Sequence, residues 1–242
     1  MIYFKKVLQF FSILICTTLW AQTTEMVTIK RGTYVPLYGS TDKKPVQVEG
    51  FKIDVYPVTN AQFLNFVKKY PDYSRSKIKG LFADKSYLAT WENDYSFGKI
   101  NKSNSPVTNV SWFAAKKYCE CQGKRLPTMD EWEYVAMADE KLIDARTKES
   151  FNKYIMSWYE KPNTYANPVG ATFKNYWGVY DMHGLVWEWT SDFNSIFLSG
   201  ESRKDKDSDK DLFCGSASVN ATDLMNYAAF MRYAFRGSLK AN

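Results

Sequence analysis

Histidine is almost absent from this chain: His183 is the only one in 242 residues. A histidine-rich zinc site is thereby excluded, because each ligand must come from its own side chain. Cysteine is scarce too, with four residues in all, at positions 16, 119, 121 and 214. No stretch approaches the ~20 consecutive apolar residues that a spanning helix needs. Neither sign of charge dominates: 32 basic residues face 26 acidic ones, spread along the chain. That balance gives little support to nucleic-acid binding. No repeat of solenoid period is visible.

What is abundant is aromatic. Phe, Trp and Tyr make up 17% of the chain, which favours a large, rigid aromatic core or binding surface. At the N-terminus, Lys5 and Lys6 precede the mostly apolar run from Val7 to Trp20, and Ala21-Gln22 follows as a small-residue cleavage region. These three parts predict an export signal over residues 1–22 and a mature domain over 23–242, secreted or periplasmic. Leu14-Ile15 precede Cys16 where a lipoprotein signal wants a small residue, which argues against a lipid anchor. Loss of Lys5 and Lys6 lowers the formal charge from +6 to +4.

Cys119, Cys121 and Cys214 survive such processing. An odd number in an oxidising compartment leaves one thiol free or pairs it between chains. On a helix, Cys119 and Cys121 would point about 200° apart around the axis, too far to bridge or to chelate one ion. Cys214 with one of them is the intrachain disulfide the spacing allows. Three small, buried apolar side chains is an equal alternative.

Along the chain, MVTIKRGTYVPLY (26–38) alternates and ends in turn chemistry, predicting a short hairpin-like start. Val46, Val48, Phe51, Ile53 and Val55 alternate again, with a break at Gly50. Thr59 and Gln62 form a capping box, and Phe63, Phe66, Val67 and Tyr70 follow at helical spacing before Pro71 ends the helix. Residues 72–105 are polar, aromatic and irregular, an insertion or long loop. SPVTNVSW (105–112) predicts a short strand leading to Ser111 as N-cap. The helix from Trp112 stops at Gly123, which suits the left-handed position after a helix. Thr128 and Glu131 form a second capping box, and residues 148–160 a further amphipathic helix. From 163 onward the texture is that of short strands and structured loops. The fold class is α+β: one compact domain, poor in regular structure, with a few amphipathic helices around short antiparallel strands.

SPVTNVSWFAAKKYCECQGKRLPTMDEWEYVA (105–136) strongly resembles the sulfatase-modifying-factor family, whose type member is the formylglycine-generating enzyme. NPVGATFKNYWGVYDMHGLVWEWTSDF (167–193) is similar to a second block of that family. The segments MVTIKRGTYVP and KPVQVEGFKIDVYPVTNAQFLNFV (26–67) are similar to its N-terminal strand pair and first helix. The resemblance implies a domain related to the C-type lectin fold. Family domains end in a strand resembling N-L-G-F-R, whereas this sequence stops at Asn242 after SLKAN, so either the sequence is truncated there or that strand is missing.

The family's chemistries differ, so each is tested on its own residues. Oxidation of a client cysteine to formylglycine implies Cu(I) on two cysteines near the C-terminus, soft ligands for a soft ion. In the corresponding stretch, 213–238, Cys214 takes the place of an arginine, and Asn220 and Met225 fall where the two cysteines would be. The resemblance therefore implies a member without the usual copper pair, with Cys214 left as the one catalytic candidate. The iron-dependent sulfoxide synthases of the family need three histidines, which a single His183 cannot supply. A calcium site implied by the resemblance uses an asparagine where this chain has Leu185, leaving Glu188 as the one metal candidate, for Ca²⁺.

Two further stretches carry charge. Asp205, Asp207, Asp209 and Asp211 alternate within a run (199–212) interleaved with lysines. An EF-hand would need glycine at Lys210 and glutamate at Ser216, so a solvated loop is the better account. Arg232, Arg236 and Lys240 stand four apart, and on a helix they would form a cationic stripe near Phe230, Tyr233 and Phe235. Such a groove could hold a carboxylate, a sulfate or an acidic peptide. The alternative is that the arginines tie down loops through backbone carbonyls.

The expected function is that of an exported accessory or binding module for another exported protein, a metalloenzyme or sulfatase-like client recognised through an extended segment. Trp112, Trp187, Arg232, Tyr233 and Arg236 are the substrate-contact candidates. The alternatives are a cysteine oxidase built around Cys214 with Cu(I), and a calcium-dependent lectin-like module. Trp187, Glu188 and Trp189 are expected on a strand, both tryptophans on one face as core anchors and Glu188 on the other accepting hydrogen bonds from backbone or Arg. His183 is expected to be structural.

Overall fold

The computed structural model describes residues 24–37, 44–193 and 224–242. The expected signal (1–22), the charged run 199–212, Cys214 and Asn220 lie outside the described residues, and of Met225 only its helical backbone is described. The elements in order are β1 (Met26–Ile29), β2 (Gly32–Tyr34), β3 (Val46–Val48), β4 (Phe51–Asp54), α1 (Asn60–Lys69), α2 (Trp112–Cys121), α3 (Met129–Ala136), α4 (Glu149–Tyr159) and α5 (Leu224–Ser238). Helices and short antiparallel strands with long connections between them make this an α+β domain of low regular content. Among the described residues no helix is long and apolar enough to cross a membrane.

The N-terminal hairpin differs from expectation. β1 and β2 do not fold back on each other. Instead β1 pairs with β4, Ile29 opposite Phe51, and β2 pairs with β3, Gly32 opposite Val48. Residues 26–34 thus run antiparallel to 46–54 as one ribbon, interrupted at Lys30-Arg31 and Glu49-Gly50. The alternating apolar set in 46–55 needs a partner strand of equal length, which 26–38 folded on itself could not provide.

α1 starts with the expected reciprocal cap: Thr59 accepts from the Gln62 N–H and Gln62 accepts from the Thr59 N–H. Phe63, Phe66 and Val67 are buried on its inner face against Tyr118, Leu88 and Trp91. Leu88 and Trp91 belong to the 72–105 segment, which is irregular as expected yet contributes these side chains to the core. Asn60 holds that segment in place: its Oδ1 accepts from Trp91 Nε1 at 2.9 Å, and its Nδ2 donates to the Ser105 carbonyl at 3.1 Å.

The strand expected at 105–112 is reduced to a single bridge, Thr59 to Pro106. Pro106 has no N–H to offer a ladder, and Asn109 turns the chain with φ +56°. Ser111 caps α2 as expected, and Gly123 leaves it with φ +69°. Thr128 and Glu131 close the second reciprocal cap on α3.

The short strands expected beyond 163 are likewise absent from the described residues, apart from a bridge between Lys174 and Tyr180. Left-handed residues at Gly170, Gly178, Asp181 and Gly184 keep bending the backbone out of strand geometry. Side chains satisfy the displaced amides. Asp181 accepts from the Gly170 and Thr172 N–H groups, and Asn175 from those of Trp177 and Val179. A Cβ on Gly184, where φ is +134°, would come within 2.8 Å of Thr172 Cγ2 and 2.9 Å of Trp158 Cδ2. Gly184→Ala is therefore expected to lower stability by about 3 kcal/mol through overpacking and backbone strain. A urea titration gives the shift directly, and an unchanged midpoint would contradict this close packing.

Candidate functional site

α3 carries the residues around which the interior is arranged. Its amphipathic spacing turns Trp132, Val135 and Ala136 inward, where they pack with Ile29, Val48, Val179 and Met182. Glu133, on the neighbouring stripe, meets α5. Arg232 donates to it through Nε at 3.0 Å and Nη2 at 2.9 Å, and Arg236 through Nη1 at 2.7 Å. Burial alone would raise the Glu133 pKa, but the two guanidiniums outweigh it and hold the carboxyl at about 2. Arg232 and Arg236 are only 6% and 8% exposed.

This corrects the expected cationic stripe. The two arginines do share one helix face, but that face is turned into the protein and both guanidiniums are bonded to one carboxylate. They are not offered to a ligand, and they hold a helix rather than a loop carbonyl. The exposed Lys240 lies beyond the end of α5, and Tyr233 is half-buried on it.

Trp132 joins the remaining groups. Its Nε1 donates to Glu188 Oε2 at 2.7 Å, the Arg236 guanidinium lies 5.1 Å from the ring centroid, and the His183 ring meets it edge-on at 5.9 Å. His183 is 4% exposed and its Nε2 lies 2.7 Å from the Ala136 carbonyl, which it meets as an N–H donor. Burial, aided by the nearby Arg232 charge, lowers the imidazole pKa to about 4. His183 is thus a neutral spacer between Trp132 and Phe151, in keeping with the structural role expected of it.

The segment 186–190 forms no strand. Trp187 is 45% exposed rather than a core anchor, stacked between Tyr159 at 5.4 Å and Phe235 at 4.3 Å. Trp189 does anchor, donating to the Val110 carbonyl at 2.7 Å. Trp112 does the same toward the Thr190 carbonyl at 2.9 Å, so this contact candidate supports the frame. Glu188 accepts from an indole, where backbone or an arginine was expected. Burial raises its pKa to about 7, against the opposing effect of the Trp132 hydrogen bond.

Glu188 opens onto a cavity of about 470 Å³. β4, the Pro106–Val110 segment, α2, Val179–Tyr180 and Val186–Trp189 wall it. Asp54 is held there by Lys124 at 2.5 Å, while Arg125 is turned to Glu131. Trp187 and Glu188 are the sequence candidates that border this cavity. Tyr56, Tyr118, Lys124 and Trp132 also border it, and sequence reasoning did not single them out as a group. Only the alternation of Phe51 and Ile53 pointed inward.

No group of three or more His, Cys, Asp or Glu able to hold a metal ion occurs among the described residues. Glu188 gains no such companions, and Leu185 is 2% exposed and apolar. Cys119 and Cys121 are free thiols on α2. Burial pushes the Cys119 thiol up to about 11, so it stays protonated and is a poor ligand for Cu(I). The described cysteines therefore do not fit a copper pair, and Cys214 lies outside the described residues.

A family model described as a sulfatase-modifying factor enzyme 1-like domain matches residues 16–242. The formylglycine-generating enzyme of Mus musculus is 30% identical over 227 residues, covering 74% of this chain and 60% of that protein. A protein of Bos taurus named inactive C-alpha-formylglycine-generating enzyme 2 is 29% identical over 214 residues, covering 70% of this chain and 71% of its own length. A Chlamydia caviae protein named serine/threonine-protein kinase pkn1 is 30% identical over 179 residues. The chain covers 70% of itself there but spans only 28% of that relative.

Two outcomes follow from these charges. Glu133→Gln leaves two buried guanidiniums without a counter-ion and is expected to cost about 3–5 kcal/mol. Circular dichroism should show helix lost together with stability; full stability would refute the anchoring role.

The second outcome concerns pH. His183 has a lowered folded pKa, so the unfolded chain takes up its proton first and stability falls as pH drops from 6.5 through about 4. Glu188 has a raised one, so the native state keeps its proton longer and stability falls as pH rises from 4.5 through about 7. Each effect is on the order of 2–3 kcal/mol and they oppose each other between those values. Glu188→Gln should therefore uncover a loss of stability on acidification, and His183→Gln a gain. Denaturant midpoints at pH 4.5, 5.5 and 6.5 read both slopes, and parallel profiles for the two variants would contradict the assignment.

Proposed function

This chain belongs to the sulfatase-modifying-factor family, and from that membership we propose that it works as an exported binding or maturation accessory for another exported protein. The observation that carries this is a roomy aromatic-walled cavity whose one thiol, Cys119, is kept protonated by burial. Such a site can grip a polypeptide, while its thiol is ill-suited to redox chemistry. The client class is an exported protein, a metalloenzyme or sulfatase-like enzyme, recognised through an extended segment. Export itself rests on the signal-like pattern of residues 1–22.

The competing reading is copper-dependent oxidation of a client cysteine to formylglycine, centred on Cys214. Likeness to the mouse enzyme favours it; the displaced cysteine positions and the protonated Cys119 weigh against it. A calcium-dependent lectin-like module has only Glu188 in its favour. Titration of the reduced mature protein with Cu(I) separates the first two. The expected result is no tight one-to-one binding and no conversion of a cysteine peptide to the aldehyde by mass spectrometry. Stoichiometric Cu(I) binding that disappears in Cys214→Ser would overturn the accessory reading.

A further inference from the structure

The 72–105 segment turns two adjacent apolar side chains toward water. Ile78 packs inward and Ala83 is buried, so the chain is pinned on both sides of a short turn. The turn closes locally, the Phe82 N–H donating to the Lys79 carbonyl at 2.8 Å. Leu81 at its tip is 74% exposed, and Phe82 beside it 37%. A Cβ on Gly80 would meet nothing within 4 Å, so the tip stands clear of the domain. Phe82 rests edge-on against Phe113 of α2 at 5.3 Å, which extends the apolar patch. Ile100 is as exposed, at 78%, but its chain neighbours are Lys99 and Asn101. A single exposed apolar residue is ordinary, whereas two together backed by a ring are not.

Lysines flank this tip. Lys77, Lys79 and Lys85 are exposed, and among the described residues none of the three is ion-paired. The nearby acids are engaged elsewhere. Asp84 accepts from Ser86, and Asp94, whose charge Lys77 does feel, accepts from Ser76. The turn thus joins an apolar tip to a net positive rim. An acidic protein would satisfy the lysines and leave Leu81 nothing to bury against. A bilayer with acidic headgroups offers both in the matching order, phosphate charge outermost and an apolar layer beneath, while lysine stems reach back toward the charge.

We propose that the 79–82 turn docks the protein on an acidic phospholipid surface. Leu81 and Phe82 enter the interfacial layer, and Lys77, Lys79 and Lys85 meet lipid phosphates. The contact lies at the surface, needs no spanning helix and is reversible, since so small an apolar tip falls well short of a stable anchor. It uses neither the cavity nor a thiol, so it goes beyond the client reading and is tested apart from it.

The probe is a vesicle of phosphatidylcholine with about 30% phosphatidylglycerol, titrated against the mature protein freed of the apolar run 7–20 and read by co-sedimentation. Saturable binding is expected, falling with added salt and about tenfold weaker on pure phosphatidylcholine. Leu81→Ser should weaken it about tenfold through lost apolar burial. Lys77→Gln, Lys79→Gln and Lys85→Gln combined should weaken it about a hundredfold. Ile100→Ser, the control, should leave it within about twofold. All five side chains are exposed, so each variant should keep the near-ultraviolet circular dichroism of the parent. No saturable binding, equal binding to both vesicle types, or indifference to Leu81→Ser would each overturn the assignment. So would a loss in Ile100→Ser as large as that in Leu81→Ser, or a self-dimer dissociated by Leu81→Ser, which would put a second copy over the turn. A client captured without vesicles and lost in Leu81→Ser would support the accessory reading and overturn this one.

Discussion

The interior depends on one carboxylate. Glu133 of α3 accepts from Arg232 and Arg236 of α5; both guanidiniums are buried and the carboxylate is half-buried. Taking two guanidiniums and a carboxylate from water is costly, and the cost is offset only when the geometry supplies several short bonds at once. Three such bonds form here. Ala228, on the same face of α5, packs with Phe151 and Ile155 of α4, so the charged contact is flanked by an apolar one. A fifteen-residue helix is marginal in isolation. α5 is thus held by tertiary contacts, with Phe235 stacked on Trp187 as a third attachment.

The parts of this arrangement that were legible in the sequence are those governed by local rules. Thr59 with Gln62 and Thr128 with Glu131 announced two helix starts, because a capping box involves residues three apart and nothing else. The α+β class and the family were legible for a related reason: the motifs around 105–136 and 167–193 are long and in order. Gly50 marked the break in the ribbon, yet the choice of partner strand was missed, since pairing depends on residues twenty positions away.

The misreadings have a common cause. Arg232 and Arg236 were placed on one face correctly, but whether that face meets water or Glu133 is decided about a hundred residues upstream. Trp187 and Trp189 were given one strand face by period-two reasoning, which fails where Asp181 and Gly184 have already turned the chain. Glu188 was seen as a metal candidate or a backbone acceptor, because no sequence signal shows that Trp132 reaches it. The cavity was invisible for the same reason: its walls come from stretches far apart in the sequence.

Trp132 has an electronic consequence for the molecule. An anion accepting its N–H pushes electron density into the indole, and a cation above the ring is attracted by that density. Glu188 and Arg236 occupy those two positions, so each strengthens the other's contact although they do not touch. Whatever neutralises or draws away the Glu188 charge leaves the indole face less electron-rich toward Arg236. The ring is therefore a short wire: the state of the cavity is felt, through one side chain, by α5.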